Sequence, residues 1–414
     1  LVAVLAALLL LTTAAVVVAV RGQRDIADQR NAALSGKVAN ESVALRAGNP
    51  ALAAQLALAA QRLTPTTESR GAVLSTPANP YATVLSAHAG AVYAVNYSPD
   101  GRRLATVALD GTLRMWDVTD PMRPGALSSV VGDAKGISAA AFAPGGETVA
   151  TAGNDNTAHL WDVRDPRHPV ELATMGGHSL GIIGLAFSPD GTLLVTASYD
   201  ATALLWNVTN PSKPYTVSTL KGAPKGLSDV AFSPDGRTLA VTAFSNDVML
   251  WDVGDPRHPE RLPDLRGHTK AVLAAAFHGD TLATGGFDNT VRLWDLRDPR
   301  HGRHLATLSG HEDGVVAIDF SPDGRSLATG SYDRTIRLWD LTDVRSDPIV
   351  MTGHSNTVYT VRYSPDGRVL ASGGRDDTVR VWDLGRPCSA ATRARSTRSP
   401  TAPTAACSPR PATR

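Results

Sequence analysis

The seven tryptophans fall at positions 116, 161, 206, 251, 294, 339 and 382, at successive spacings of 45, 45, 45, 43, 45 and 43 residues. A period of this size means that one supersecondary unit recurs, and it constrains the fold more than any local propensity does. Aspartate follows every tryptophan except Trp206, which Asn207 follows. Each period keeps one order: a Gly-His-like pair, an apolar stretch ending in Phe or Tyr, "SPDG", an "LAT"-like stretch, then the tryptophan.

The local chemistry says what the unit is made of. "SPDG" occupies 98–101, 188–191, 233–236, 321–324 and 364–367. Proline at the second position and glycine at the fourth suit a type I turn. The flanking stretches alternate, as in "AVYAVNY" before and "RRLATVA" after the first of these turns, so each turn joins two strands. The second period keeps the turn loosely as "APGG" (143–146), and the fifth shortens it to "HGD" (278–280), which accounts for the 43-residue spacing there. Abundant glycine and proline and few aromatics agree with many short strands joined by tight turns.

Gly-His early and Trp-Asp late in a period of this length resemble the WD-repeat family over residues 81–383. The resemblance implies an all-β, seven-bladed propeller of four-stranded antiparallel blades around a channel. In that family each period begins with the outer strand of the preceding blade, so residues 82–86 are expected to pair with the strand around Val379–Trp382 and close the ring. The family also carries a structural tetrad. Here it maps to His311, Ser331, Asp333 and Trp339, and again to His178, Ser198, Asp200 and Trp206. Serine is expected to accept from the indole N–H while histidine bridges serine to the carboxylate. On this mapping the other periods are partial. Ala108, Gly153, Gly286 and Gly374 stand at the serine position, Asp133 stands for histidine, and the fourth period has Ala223, Ala243 and Ser245.

Histidine, serine and aspartate are also the residue types of a hydrolytic triad. Repetition argues for the structural use, because His178 and His311 head two copies of the same set and the remaining periods hold decayed ones. The sequence contains no phosphate loop of the form GxxxxGK[ST], no GxGxxG and no HExxH. No catalytic residue, cofactor or metal site is expected. Most histidines fall at the Gly-His-like positions or in the "DPRHP" segments, at His168 and His258, which read as stiff loops.

The flanks differ from the repeats. Residues 1–20 carry no charge, and twenty helical residues span about 30 Å, so a transmembrane helix is expected. The chain begins at Leu1 and reads as a fragment or a processed product. Residues 21–76 are alanine-rich and read as a helical stalk or hairpin, with Asn49 and Pro50 opening one helix. The propeller is assigned to 81–384. The stretch 385–414 is a basic Pro/Ser/Thr/Ala-rich tail without an acid, expected to be disordered. Both cysteines, Cys388 and Cys407, lie in it. The repeats therefore have no disulfide framework and no thiolate metal site. A formal net charge of +1 gives no global field toward nucleic acid.

The apolar segment, the alanine-rich stretch and the "DVTDP" and "DPRHP" linkers together resemble the C-terminal anchor and WD-repeat part of actinobacterial signal-transduction ATPase-like proteins. That resemblance implies a sensor or interaction module tethered to a membrane by one pass. Arg21, Arg24 and Arg30 favour a cytoplasmic propeller. The arginine-rich opposite flank usual in the resembled group favours an extracytoplasmic one, and that side is preferred. Partner binding is expected on one face, at the residue between the mapped serine and aspartate of consecutive periods: Tyr199, Phe244, Phe287, Tyr332 and then Arg375, with Tyr93 and Tyr359 extending the rim. Leu109 and Asn154 hold the position in the first two periods. Aromatics and arginine are enriched at binding hot spots. The competing readings are a scaffold for several proteins and a propeller enzyme. The enzyme needs clustered titratable groups in the channel or on a face, and none is visible in the sequence.

Overall fold

A computed structural model describes residues 30–39, 56, 59–60, 82–86 and 88–384. The expected transmembrane helix (1–20), the helix opening at Asn49, most of the stalk and the tail (385–414) lie outside the described residues. Residues 30–39 form a helix, and the Ser35 hydroxyl donates to the Ala60 carbonyl at 2.8 Å. Among the described residues no helix is long and apolar enough to cross a membrane.

Residues 82–384 form seven antiparallel sheets, each built in chain order from an inner strand outward. The first blade shows the pattern: Val92–Tyr97, Arg103–Ala108, Thr112–Asp117 and Gly125–Val131. The last blade takes its inner three strands from Val358–Tyr363, Val369–Gly374 and Val379–Asp383. Its outer strand is Ala82–Leu85 from the other end of the repeats, with Ala82 opposite Trp382 and Leu85 opposite Val379. The ring therefore closes by sharing one blade, and no inner edge is left for another chain to pair with.

The hairpins form where the turn chemistry placed them. In the first, Gly101 donates its N–H to the Ser98 carbonyl at 2.8 Å and adopts φ +70°, a conformation that costs any residue with a Cβ. The Ser98 hydroxyl takes the Arg103 N–H at 3.0 Å, which pins the following strand. In the fourth blade, Pro263 interrupts the outer strand, leaving Glu260–Arg261 and Leu265–Arg266 as two short pieces. Proline has no N–H to give the ladder.

The core lies between blades. Seven apolar clusters each join one blade to the next. Leu205 and Leu220 of the third blade pack with Phe232 and Val241 of the fourth, and Val369 and Val381 of the last blade pack with Val92 and Leu104 of the first. Each blade thus buries its inner strands against both neighbours, while its outer strand stays largely exposed.

Within a blade a hydrogen-bonded chain runs from the tryptophan to the loop face. Trp339 Nε1 donates to Thr329 Oγ1 at 2.9 Å. The same hydroxyl lies 2.7 Å from His311 Nε2, and His311 Nδ1 lies 2.7 Å from Asp333 Oδ2. The carboxylate makes Nδ1 the protonated nitrogen, so Nε2 accepts from the threonine. Asp333 further accepts the N–H groups of Glu312 and Thr335, fixing two loops of the face.

This geometry corrects the mapped tetrad. The indole partner is Thr329, not Ser331, and in the third blade it is Thr196, not Ser198. Ser331 donates to the Asp313 carbonyl and accepts from Asp333 N–H, and Ser198 does the same toward Leu180 and Asp200. Thr329 and Ser331 share one face of a strand, being two residues apart. Trp339 stands opposite Leu327, so its ring reaches the next position up, Thr329. Ser331 lies four residues from Leu327, about 13 Å at strand rise, beyond the indole.

The same correction completes three periods that looked partial. Thr106, Thr284 and Ser372 accept the indoles of Trp116, Trp294 and Trp382 and contact His88, His268 and His354. In the second blade Asp133 replaces histidine, accepting from the Lys135 and Asp155 amides, while Thr151 still takes the Trp161 N–H. The fourth blade is apolar at these positions, with Val241 for the hydroxyl and Ala223 for histidine. There the Arg261 guanidinium lies 5.3 Å over the Trp251 ring.

Burial lowers the pKa of His88, His178, His268 and His354, with their aspartates opposing it. For Asp200, burial pushes upward, but hydrogen bonds from Thr202, Ser179 and His178 outweigh it and the net shift is downward. Neutral histidine beside ionised aspartate is the state this network stabilises.

Candidate functional site

The loop face is where the turns before the tryptophan strands converge. It holds all five residues expected to bind a partner. Tyr199 is 46 % exposed, Phe244, Phe287 and Tyr332 are half-buried, and Arg375 is exposed. The rings pair. Tyr199 stacks on Phe244 at 5.7 Å between centroids, and Phe287 stacks on Tyr332 at 5.5 Å. Tyr332 meets Tyr359 edge-on at 6.2 Å, and Tyr359 stacks on Tyr93 at 4.9 Å. Gly314 sits between Phe287 and Tyr332. A Cβ there would come within 2.8 Å of the Phe287 ring, so glycine is needed for this approach.

The two tyrosines at the inner end of this rim owe their aim to a bulge. Every inner strand slips register by one residue near its start, between Val92 and Ala94 in the first blade and between Val358 and Thr360 in the last. The residue left over is Tyr93 in one and Tyr359 in the other. A bulge re-aims the extra side chain, here toward the channel mouth. In the second and fourth blades the bulge residues are Ser138 and Ser228, whose hydroxyls donate to Ile182 and Val272 carbonyls of the next blade.

Below the rim lies an upper chamber of about 330 Å³ bounded by all seven inner strands. Its walls carry Tyr93, Tyr199, Phe244, Tyr332 and Tyr359, and Asp229 and Arg362 lie deeper in it. The residue after each bulge forms a ring: Ala94, Ala139, Gly184, Asp229, Ala274, Ala317 and Thr360. Asp229 is the one charged member. Two residues further along the strands, a second ring holds Asn96, Asp319 and Arg362, and a lower chamber of about 340 Å³ opens there toward the "SPDG" turns.

Both carboxylates take backbone N–H groups of the following blade. Asp229 accepts from Ala275 at 3.0 Å and from its own neighbour Val230 at 2.9 Å, and Asp319 accepts from Tyr363 at 2.7 Å. Arg362 donates to Asn96 Oδ1 and to the Ile318 and Val361 carbonyls. Burial pushes both carboxyls up to about 6, against the pull of Arg362 and these amides.

The channel charges correct the expectation that no titratable groups cluster there. Their signal was present in the sequence. "LSDVAF", "AIDF" and "TVRY" put a charge where most other repeats have alanine, but only the known phase of the bulge shows that these positions face the channel. Among the described residues no group of three or more His, Cys, Asp or Glu is arranged to hold a metal.

The family model described as "WD domain, G-beta repeat" matches seven times, at residues 79–117, 126–162, 169–207, 214–252, 259–295, 302–340 and 347–383. The chain belongs to the WD-repeat family. WD-repeat propellers are commonly protein-interaction scaffolds and usually non-enzymatic. A 99-residue stretch is also similar, at 38 % identity, to "NAD(+) hydrolase ApTIR" from Actinoplanes sp.. The match covers 24 % of this WD-repeat chain and 14 % of that protein, so it spans a small part of both.

Proposed function

We propose that this WD-repeat propeller is a non-enzymatic interaction module that docks a protein partner on its loop face, as the recognition part of a membrane-tethered signalling protein. The paired rings around the channel mouth carry the docking reading. Large rigid side chains bury apolar area at low entropic cost, and Arg375 at the end of the arc suits a partner carboxylate. The tether rests on the uncharged run 1–20, and the signalling role on the resemblance of the flanking segments to signal-transduction ATPase-like proteins. Similarity to part of a protein named as an NAD(+) hydrolase fits a recognition module that accompanies a separate activity in a longer chain.

The test compares two faces. A variant with Tyr199, Phe244, Phe287 and Tyr332 changed to alanine, and one with Arg167 and Arg257 of the opposite "DPRHP" loops changed to alanine, are used as baits in the native host. Both are first checked for a cooperative melt. Loss of the partner set from the aromatic variant alone, by about tenfold or more in recovery, is expected, since one hot-spot truncation costs about 2 kcal/mol or more. Equal recovery by both baits would overturn the assignment of the face. Many unrelated proteins captured by the parent, and lost together, would favour the scaffold reading.

A further inference from the structure

The rim explains affinity for a protein surface but not what the upper chamber receives. The chamber is larger than any one side chain needs. It is walled by four tyrosines and a phenylalanine, and it has a carboxylate in its ring of small residues. The channel as a whole carries Asp229 and Asp319 against Arg362, an excess of one negative charge when both acids are ionised.

We infer that the upper chamber receives one basic side chain, lysine or arginine, projecting from the docked partner, with the aromatic rings around its stem and Asp229 as its counter-charge. This deepens the proposed docking on the loop face and rests on it.

Three observations select a cation. Aromatic faces attract ammonium and guanidinium groups, the more so when water is excluded. The phenols of Tyr93, Tyr199 and Tyr332 are held protonated, burial pushing each above its usual range, so they add no charge of their own. The charge within the channel is unbalanced in the right sense. Arg362 already serves Asn96, Ile318 and Val361, and Asp319 shares its ring, whereas Asp229 stands in a ring otherwise made of Ala94, Ala139, Gly184, Ala274, Ala317 and Thr360. Its two oxygens each hold one backbone amide, and an ionised carboxylate has about four acceptor sites. The other charged groups facing Asp229 are Arg362 from the last blade and, one ring below, Asp319 from the sixth. Desolvation pushes the Asp229 carboxyl up despite Arg362, and its ionised form has no ion pair within 4 Å among the described residues, so an arriving cation offsets that penalty.

The probe is an acetylated and amidated pentapeptide, Gly-Ser-Arg-Ser-Gly, titrated calorimetrically into the full chain beside its citrulline and glutamate analogues and free ethylguanidinium. The arginine peptide is expected to bind at least tenfold more tightly than the citrulline peptide. Asp229→Asn is expected to abolish that preference. Its one oxygen keeps the Ala275 N–H and gives up the Val230 N–H, and removing the desolvated charge offsets that loss, so its melting temperature should not fall. Lowering the pH from 7.5 to 5 should weaken the parent complex and leave Asp229→Asn unaffected. Equal affinity for the arginine and citrulline peptides, or an unchanged preference in Asp229→Asn, would overturn the inference. Preference for the glutamate peptide would assign the chamber to Arg362 and overturn it too. Binding of ethylguanidinium with no peptide binding would assign it to a small cation, again against a docked side chain. Each of these can occur while the aromatic variant still loses its partner, so docking on the face stands or falls separately.

Discussion

Thr329→Val is the sharpest probe of what holds a blade together. The change keeps shape and removes one hydroxyl, which accepts from Trp339 Nε1 at 2.9 Å and meets His311 Nε2 at 2.7 Å. Both partners are buried, the tryptophan at 4 % and the histidine at 6 % exposure, so water cannot replace the lost bonds. Each orphaned group costs about 1–3 kcal/mol, and two of them put the loss at about 2–6 kcal/mol. The fourth blade supplies the control, because it already has Val241 and Ala223 at the equivalent positions. Adding His311→Ala to Thr329→Val removes one of the two orphans, so the pair should cost less than the sum of the single changes. Ser331→Ala, at the position the sequence mapping made the indole acceptor, removes bonds to Asp313 and Asp333 backbone and should cost about 1 kcal/mol. Urea midpoints at constant m-value give the differences, and hydrogen exchange along Ser326–Ser331 localises them. A loss below about 0.5 kcal/mol for Thr329→Val, or one no larger than that for Ser331→Ala, would refute the argument that the threonine chain stabilises the blade.

Two further outcomes follow from charge and from the flank. His88, His178, His268 and His354 have folded pKa values below the unfolded ~6.5, so their contribution is complete above pH 6.5 and is lost as pH falls from there through the lower folded values. Asp229 and Asp319 run the other way. Their folded values near 6 exceed the unfolded ~3.9, so their ionised forms weigh against folding at neutral pH and the penalty fades between 6 and 4. The Asp229→Asn, Asp319→Asn double variant should therefore melt higher than the parent at pH 7.5 and level with it at pH 4.5; a gap that widens on acidification would contradict this sign. For the flank, the full chain should resist alkaline extraction from membranes and be released when residues 1–20 are deleted; release of both alike would remove the tether.

The repeat itself was legible in the sequence because a blade is a local object. The tryptophan spacing, the "SPDG" turns and the alternation around them are set by residues within one period, so seven blades and their hairpins could be read from the chain alone. The shared seventh blade was an expectation carried by the family resemblance, and the pairing of Ala82–Leu85 with Val379–Trp382 bears it out. The indole acceptor was not legible. Thr329 and Ser331 lie on the same face of one strand, and only the cross-strand register, with Trp339 opposite Leu327, says which hydroxyl the ring reaches. The rim lies between these cases: one position in each repeat marked Tyr199, Phe244, Phe287 and Tyr332 for the same end of the ring, but the contact of Tyr332 with Tyr359, and through it Tyr93, depends on how far the bulges turn the inner strands. The channel needed the whole ring. Asp229, Asp319 and Arg362 sit in three different repeats, and nothing in the chain connects them until closure brings seven inner strands around one axis. Sequence determines what each blade is, because its contacts are near neighbours; the closed ring decides what the blades enclose, because that depends on residues from distant repeats meeting around one axis.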